Sequence, residues 1–202
     1  MRLFSLSVLA CLGALVVPSS SQASVITGIL STSTAQTGGP FGTVTATDVT
    51  GGFTVDVALT SGYKFVETGG HTAFVINLDA TPTSSGLFSP LQYSALIGPQ
   101  PEAGYGSFSL GVACATCSNG NHGAFTGALD FTVYGLTTAD ITANSMGYFF
   151  GADVVAPNMI TTGAVVAGSI THTTPVPEPI SMAMFGVGIT GLALSMRGKQ
   201  RA

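Results

Sequence analysis

Positive charge is almost missing from this sequence. Only five Lys and Arg occur in 202 residues, and charged residues of both signs make up 7% of the chain. Four of the five bases, Arg2, Arg197, Lys199 and Arg201, stand at the two ends, which leaves Lys64 alone between them. Against it are set Asp48, Asp56, Glu67, Asp79, Glu102, Asp130, Asp140 and Asp153. Such a surface repels phosphate backbones, because nucleic-acid affinity depends on Lys and Arg displacing counterions, and nucleic acid is excluded as a partner. The low charge does not signal disorder. Disordered chains pair low hydrophobicity with high net charge, whereas here 46% of the residues are hydrophobic.

Several chemical signatures are also lacking. No G-x-S-x-G elbow marks a nucleophilic serine, no D-x-D-x-D-G loop marks calcium, and only one C-x-x-C occurs, at Cys114 and Cys117. That pair most simply forms a disulfide in an exported chain. Closing so short a loop stabilises by about 2 kcal/mol in the chain-entropy picture, so it staples a turn. Two alternatives stay open at this point. Zinc would need two further ligands, with only His122 nearby and His71 and His172 distant. A redox pair would need a helix N-terminus at the first cysteine, and the Ser118-Asn119-Gly120-Asn121 that follows is turn-like. No catalytic residue and no cofactor is assigned. The eight carboxylates are expected at outward strand or turn positions, with Asp79, Asp130, Asp140 and Asp153 as the ones that could help hold Ca2+ at strand ends.

What the sequence does contain, between its ends, is period-two alternation. Phe53, Val55, Val57 and Leu59 alternate with Thr54, Asp56 and Ala58. The same pattern runs over 74–79, 108–113 and 129–134, and further candidate strands cover 25–31, 43–49, 147–154 and 164–170. One buried and one polar face is the reading. Gly38-Gly39-Pro40, Gly51-Gly52, Gly69-Gly70 and Gly98-Pro99 punctuate the strands as turns. About eight short strands without an amphipathic helix predict an all-β fold, an antiparallel β-sandwich of jelly-roll type. Tyr148-Phe149-Phe150 breaks the alternation, so one of these rings must leave the majority face, and that ring is the best pointer to a binding surface.

The ends read as targeting segments. Arg2, an apolar run over 3–17, Pro18 and the small residues of Ser21-Gln22-Ala23 form a signal peptide over 1–23 with cleavage after Ala23 by signal peptidase. The rival, a lipoprotein signal at Cys11, places its cysteine too early in the run. The ectodomain is then 24–170, with a linker over 171–175 and a terminal segment over 176–202. That segment has Val176-Pro177-Glu178-Pro179, an uncharged stretch over 180–196, and the basic end Arg197, Lys199 and Arg201. The stretch is long enough for a transmembrane helix of roughly 26 Å, and the basic cluster fits a stop-transfer end held in the cytoplasm.

The order Pro177-Glu178-Pro179, apolar helix and basic end resembles the PEP-CTERM sorting signal of Gram-negative bacteria. Its one departure is that Gly198 and Gln200 interrupt the terminal bases. The resemblance implies recognition by an exosortase, an inner-membrane anchored intermediate, processing near the Pro-Glu-Pro segment, and transfer to the cell surface or extracellular matrix. It also implies company with exopolysaccharide and biofilm proteins, and it says nothing of catalysis. Three stretches of the middle, 70–78, 114–117 and 143–150, are similar to one recurrent type of PEP-CTERM ectodomain, for which no activity is established. The expected function is therefore a non-enzymatic surface or matrix protein, with a secreted hydrolase of matrix glycan or peptide as the alternative.

Overall fold

The computed structural model describes residues 23–89, 91–117 and 123–174, which lie in one compact unit, Ala23–Val176. The expected signal helix, the Pro-Glu-Pro motif, the membrane helix over 180–196 and the basic end fall outside the described residues. No helix among the described residues is long and apolar enough to cross a membrane.

The unit is all-β. Its strands are β1 (Val25–Leu30), β2 (Thr32–Ser33), β3 (Gly42–Val49), β4 (Gly52–Leu59), β5 (Lys64–Phe65), β6 (Phe74–Ile76), β7 (Ser84–Ser89), β8 (Tyr93–Glu102), β9 (Gly106–Cys114), β10 (Leu129–Tyr134), β11 (Phe150–Val155), β12 (Thr162–Ala167) and β13 (Ile170–Thr173). One 3-10 turn, Thr138–Asp140, interrupts them. Six strands form a sheet in the order β13-β1-β3-β4-β10-β7, and seven form a second sheet in the order β2-β12-β11-β6-β9-β8 with β5 also on β11. All pairings are antiparallel, and the two sheets pack as a β-sandwich.

The core follows from the alternation. Ile26, Val44, Val55 and Phe131 from the first sheet meet Phe74, Ile76, Leu110 and Phe150 from the second, all at 2% exposure or less. Phe74 bridges the layers, with ring centroids 6.0 Å from Phe131 and 6.3 Å from Phe150. A buried aromatic of this kind contributes a few kcal/mol through area and ring geometry. Two expectations change. Gly98-Pro99 is no turn: it lies inside β8, the ten-residue edge strand, where the register shifts between Ile97 and Gln100. An edge bulge tolerates proline because no ladder donor is needed there. Pairing of β13 with β1 also carries the sheet through Thr173, into the stretch read as a linker.

Candidate functional site

The bulge in β8 has a consequence for the whole second sheet. Gly98 adopts φ +117°, a backbone that glycine takes without a steric penalty. Beyond it, the β8–β9 hairpin folds back as an arm across the outer face. A Cβ on Gly111 of β9 would stand 2.7 Å from Cγ of Gln100, and one on Gly151 of β11 would stand 3.5 Å from Cγ of Glu102. The arm therefore runs over β9 and then β11 in places where the sheet has no side chain. Further along, Tyr105 reaches Val75, Ala164 and Val166 and meets Tyr148 edge-on at 5.1 Å. Two polar contacts fix the arm. Asn144 Nδ2 donates to the Tyr105 carbonyl at 2.9 Å, and His71 Nδ1 lies 3.1 Å from the Pro101 carbonyl.

Beneath the arm are two carboxylates. Glu102 is 3% exposed and Asp153 is 1% exposed. Thr68 donates its N–H and its hydroxyl to Oδ2 of Asp153 at 2.5 and 2.6 Å. Among the described residues, Oδ1 of Asp153 and both oxygens of Glu102 have no hydrogen-bond partner, and the buried Tyr105 hydroxyl has none either. Burial, and then the charge of Asp153, push Glu102 up to about 8. Asp153 is raised as well by burial, against the pull of its Thr68 hydrogen bonds and of His71. The outward positions expected for the carboxylates leave these two out of water, because the arm and the segment bearing Thr68 cover a face that a simple sandwich would leave open.

The other carboxylates lie where surface or structural roles put them. Asp48 accepts the Thr138 N–H at 2.7 Å, Asp140 caps Thr137, and Glu67 accepts the Cys114 N–H. Asp56 and Asp130 stand directly opposite on β4 and β10. A hydrogen bond from Asp56, then partial burial and the Asp56 charge, push Asp130 up to about 6. Around this pair the outer face of the six-stranded sheet is hydroxylic: one cross-strand row reads Thr27, Thr45, Asp56, Asp130 and Ser89, and the next includes Thr47, Thr54 and Thr132. The four calcium candidates do not come together; among the described residues no group of three or more His, Cys, Asp and Glu is placed to hold a metal ion.

Cys114 and Cys117 are disulfide-bonded, with Cα atoms 5.2 Å apart. His172 is exposed on β13, and His122 lies outside the described residues. The aromatic triplet does split as its pattern demands, but Phe150 is in the core, Phe149 packs on its margin, and Tyr148 turns outward only to be covered by Tyr105. No aromatic side chain is exposed among the described residues, so the triplet marks the arm's seat and not an open binding surface. A cleft of about 430 Å³ lies between Asn77–Thr81 and the arm's base, with Asp79, Thr81, Ile97, Pro99 and Ser107 in its walls. Sequence reasoning missed the Glu102–Asp153 pair and this cleft.

Residues 175–198 match the PEP-CTERM protein-sorting motif. No curated protein and no solved structure is similar enough to the chain to count as a match.

Proposed function

We propose, from the premise that a chain carrying a PEP-CTERM sorting motif is exported, processed by an exosortase and sorted to the cell surface, that this protein works there as a non-enzymatic matrix component that contacts exopolysaccharide. On this reading the apolar stretch over 180–196 holds an inner-membrane intermediate until exosortase acts. The observation that supports a glycan contact is the outer face of the six-stranded sheet. There Thr27, Thr43, Thr45, Thr47 and Thr54 present hydroxyls from three neighbouring strands. Hydroxyls on a rigid sheet can exchange hydrogen bonds with sugar hydroxyls at little ordering cost, and the cleft beside the arm offers an amide, a carboxylate and hydroxyls within one concavity.

A hydrolase would need its carboxylates within reach of a substrate. Among the described residues, Glu102 and Asp153 are the buried pair with a raised proton affinity, yet the arm seals their oxygens from solvent. The test is co-sedimentation of the full chain, purified in detergent, with insoluble matrix polysaccharide. The wild type is expected to pellet, and a Thr45→Val, Thr47→Val, Thr54→Val variant is expected to stay in solution. Release of new reducing ends from the polysaccharide would support the hydrolase instead.

A further inference from the structure

We propose that Glu102 and Asp153 form a binding site for a divalent, oxygen-preferring cation, with Ca2+ as the fitting ion, which pins the β8–β9 arm across the seven-stranded sheet.

The covered face holds charge that nothing around it compensates. Two carboxylates are taken out of water, and three of their four oxygens receive no hydrogen bond. Unpaired buried charge costs several kcal/mol per group unless it is neutralised. Among the described residues Lys64 forms no ion pair with either of them, and His71, the base that acts on Asp153, places its Nδ1 on the Pro101 carbonyl. A proton is the other route to neutrality, and each acid would have to carry its own, since Glu102 and Asp153 share no hydrogen bond among the described residues. Glu102 and Asp153 act on each other through charge alone, with no hydrogen bond between them. Glu102 Cγ lies over Gly151, and Asp153 stands two residues along β11 on the same face, so a cation that binds oxygens at about 2.3–2.6 Å could join the two carboxylates.

A third group belongs to the same patch. Tyr105 is 2% exposed, its hydroxyl is unpartnered, and its N–H bonds back to the Glu102 carbonyl at 3.0 Å. All the free donors are oxygens, which favours Ca2+ over softer ions. Two carboxylates meet the charge of a divalent ion, and Ca2+ accepts hydroxyl, carbonyl and water oxygens in the remaining positions. The placement also gives the ion a structural task. Glu102 belongs to the arm and Asp153 to β11, so one ion would tie the two together where Asn144 and His71 hold only the arm's backbone. The calcium candidates of the sequence lay at strand ends, and of these only Asp153 is retained.

The experiment uses the full chain in detergent, stripped with a chelator. Millimolar CaCl2 is expected to raise Tm by roughly 5 °C, as for a ligand well above its Kd on a domain of this size. Tb3+ is expected to luminesce on tyrosine excitation, Tyr105 being the nearby donor, and excess Ca2+ is expected to quench it. Glu102→Gln and Asp153→Asn should each abolish both signals, while Asp130→Asn should leave both unchanged. Glu102→Gln keeps the shape and removes the buried charge, so the variant remains folded for the test. Absence of any Tm shift and any sensitised emission in the wild type would overturn the proposal. So would a response that survives in Glu102→Gln, or one that is lost in Asp130→Asn and so belongs to the other sheet.

Discussion

On the six-stranded sheet, Asp56 and Asp130 face one another among threonines in contact with water; on the seven-stranded sheet, Glu102 and Asp153 lie under an arm of the same chain. Each face thus has one pair of acids, and their surroundings separate them. Hydrogen bonding with Asp56, then partial burial and the Asp56 charge, raise Asp130 to about 6, with water at hand to screen the open pair. Burial dominates the covered pair, and Glu102 rises to about 8. One face is left open to water. The other has been closed by the protein itself.

The strongest way to break this comparison is to remove the buried charge. In chelator at neutral pH, Glu102→Gln should raise unfolding stability by about 3 kcal/mol, since ordinary carboxylate behaviour in the unfolded chain no longer opposes a neutral buried acid. A stability lower than that of the wild type, measured by urea denaturation, would mean that the carboxylate has partners the structure lacks. Filling the arm's seat comes next. Gly111→Val should cost about 2 kcal/mol, because even a Cβ there stands 2.7 Å from Gln100 Cγ and 3.1 Å from Thr72 Oγ1. A neutral result would show that the arm is not packed on the sheet.

The open face should respond more weakly. The Asp130 proton affinity is higher in the folded protein than its ordinary 3.8. The folded state therefore holds the extra proton, and its contribution is full below 3.8 and fades as pH rises through about 6. Solvent screening keeps this below about 1 kcal/mol. Asp130→Asn should flatten the slope of stability against pH in that window, and an unchanged slope would assign it elsewhere. Smallest of all, Thr47→Val should alter stability by no more than about 0.5 kcal/mol, so that any loss of polysaccharide binding reads directly as lost contact.

The open face was legible in the sequence and the covered one was not. Phe53, Val55 and Val57 against Thr54 and Asp56 give β4 its two faces without any tertiary knowledge, and β1, β3 and β10 follow the same rule. The sheet under the arm breaks it. Phe74-Val75-Ile76 is apolar at three consecutive positions, all fully buried, and Phe150–Val155 is buried throughout, including Asp153. A continuous apolar run signals burial on both faces, but the covering element was hidden because Gly98-Pro99-Gln100-Pro101-Glu102 has the composition of a loop. Only the long-range approach of Gln100 and Glu102 to Gly111 and Gly151 reveals it as strand and arm. The disulfide was the simplest reading of the short spacing in a chain expected to be exported, and the structure forms it. The sorting motif was legible as well, being a linear signal that needs no fold to be read.

The central claim is that this β-sandwich is cargo for exosortase sorting, and the C-terminus of the protein recovered from cells tests it most directly. Intact-mass measurement of the protein from surface and matrix fractions should find a chain shortened near Pro177-Glu178-Pro179 when exosortase is present. In cells lacking the enzyme, the chain should keep its C-terminal segment and stay in the inner membrane. A surface-fraction protein that retains Arg197, Lys199 and Arg201, with the same yield in both strains, would contradict the account.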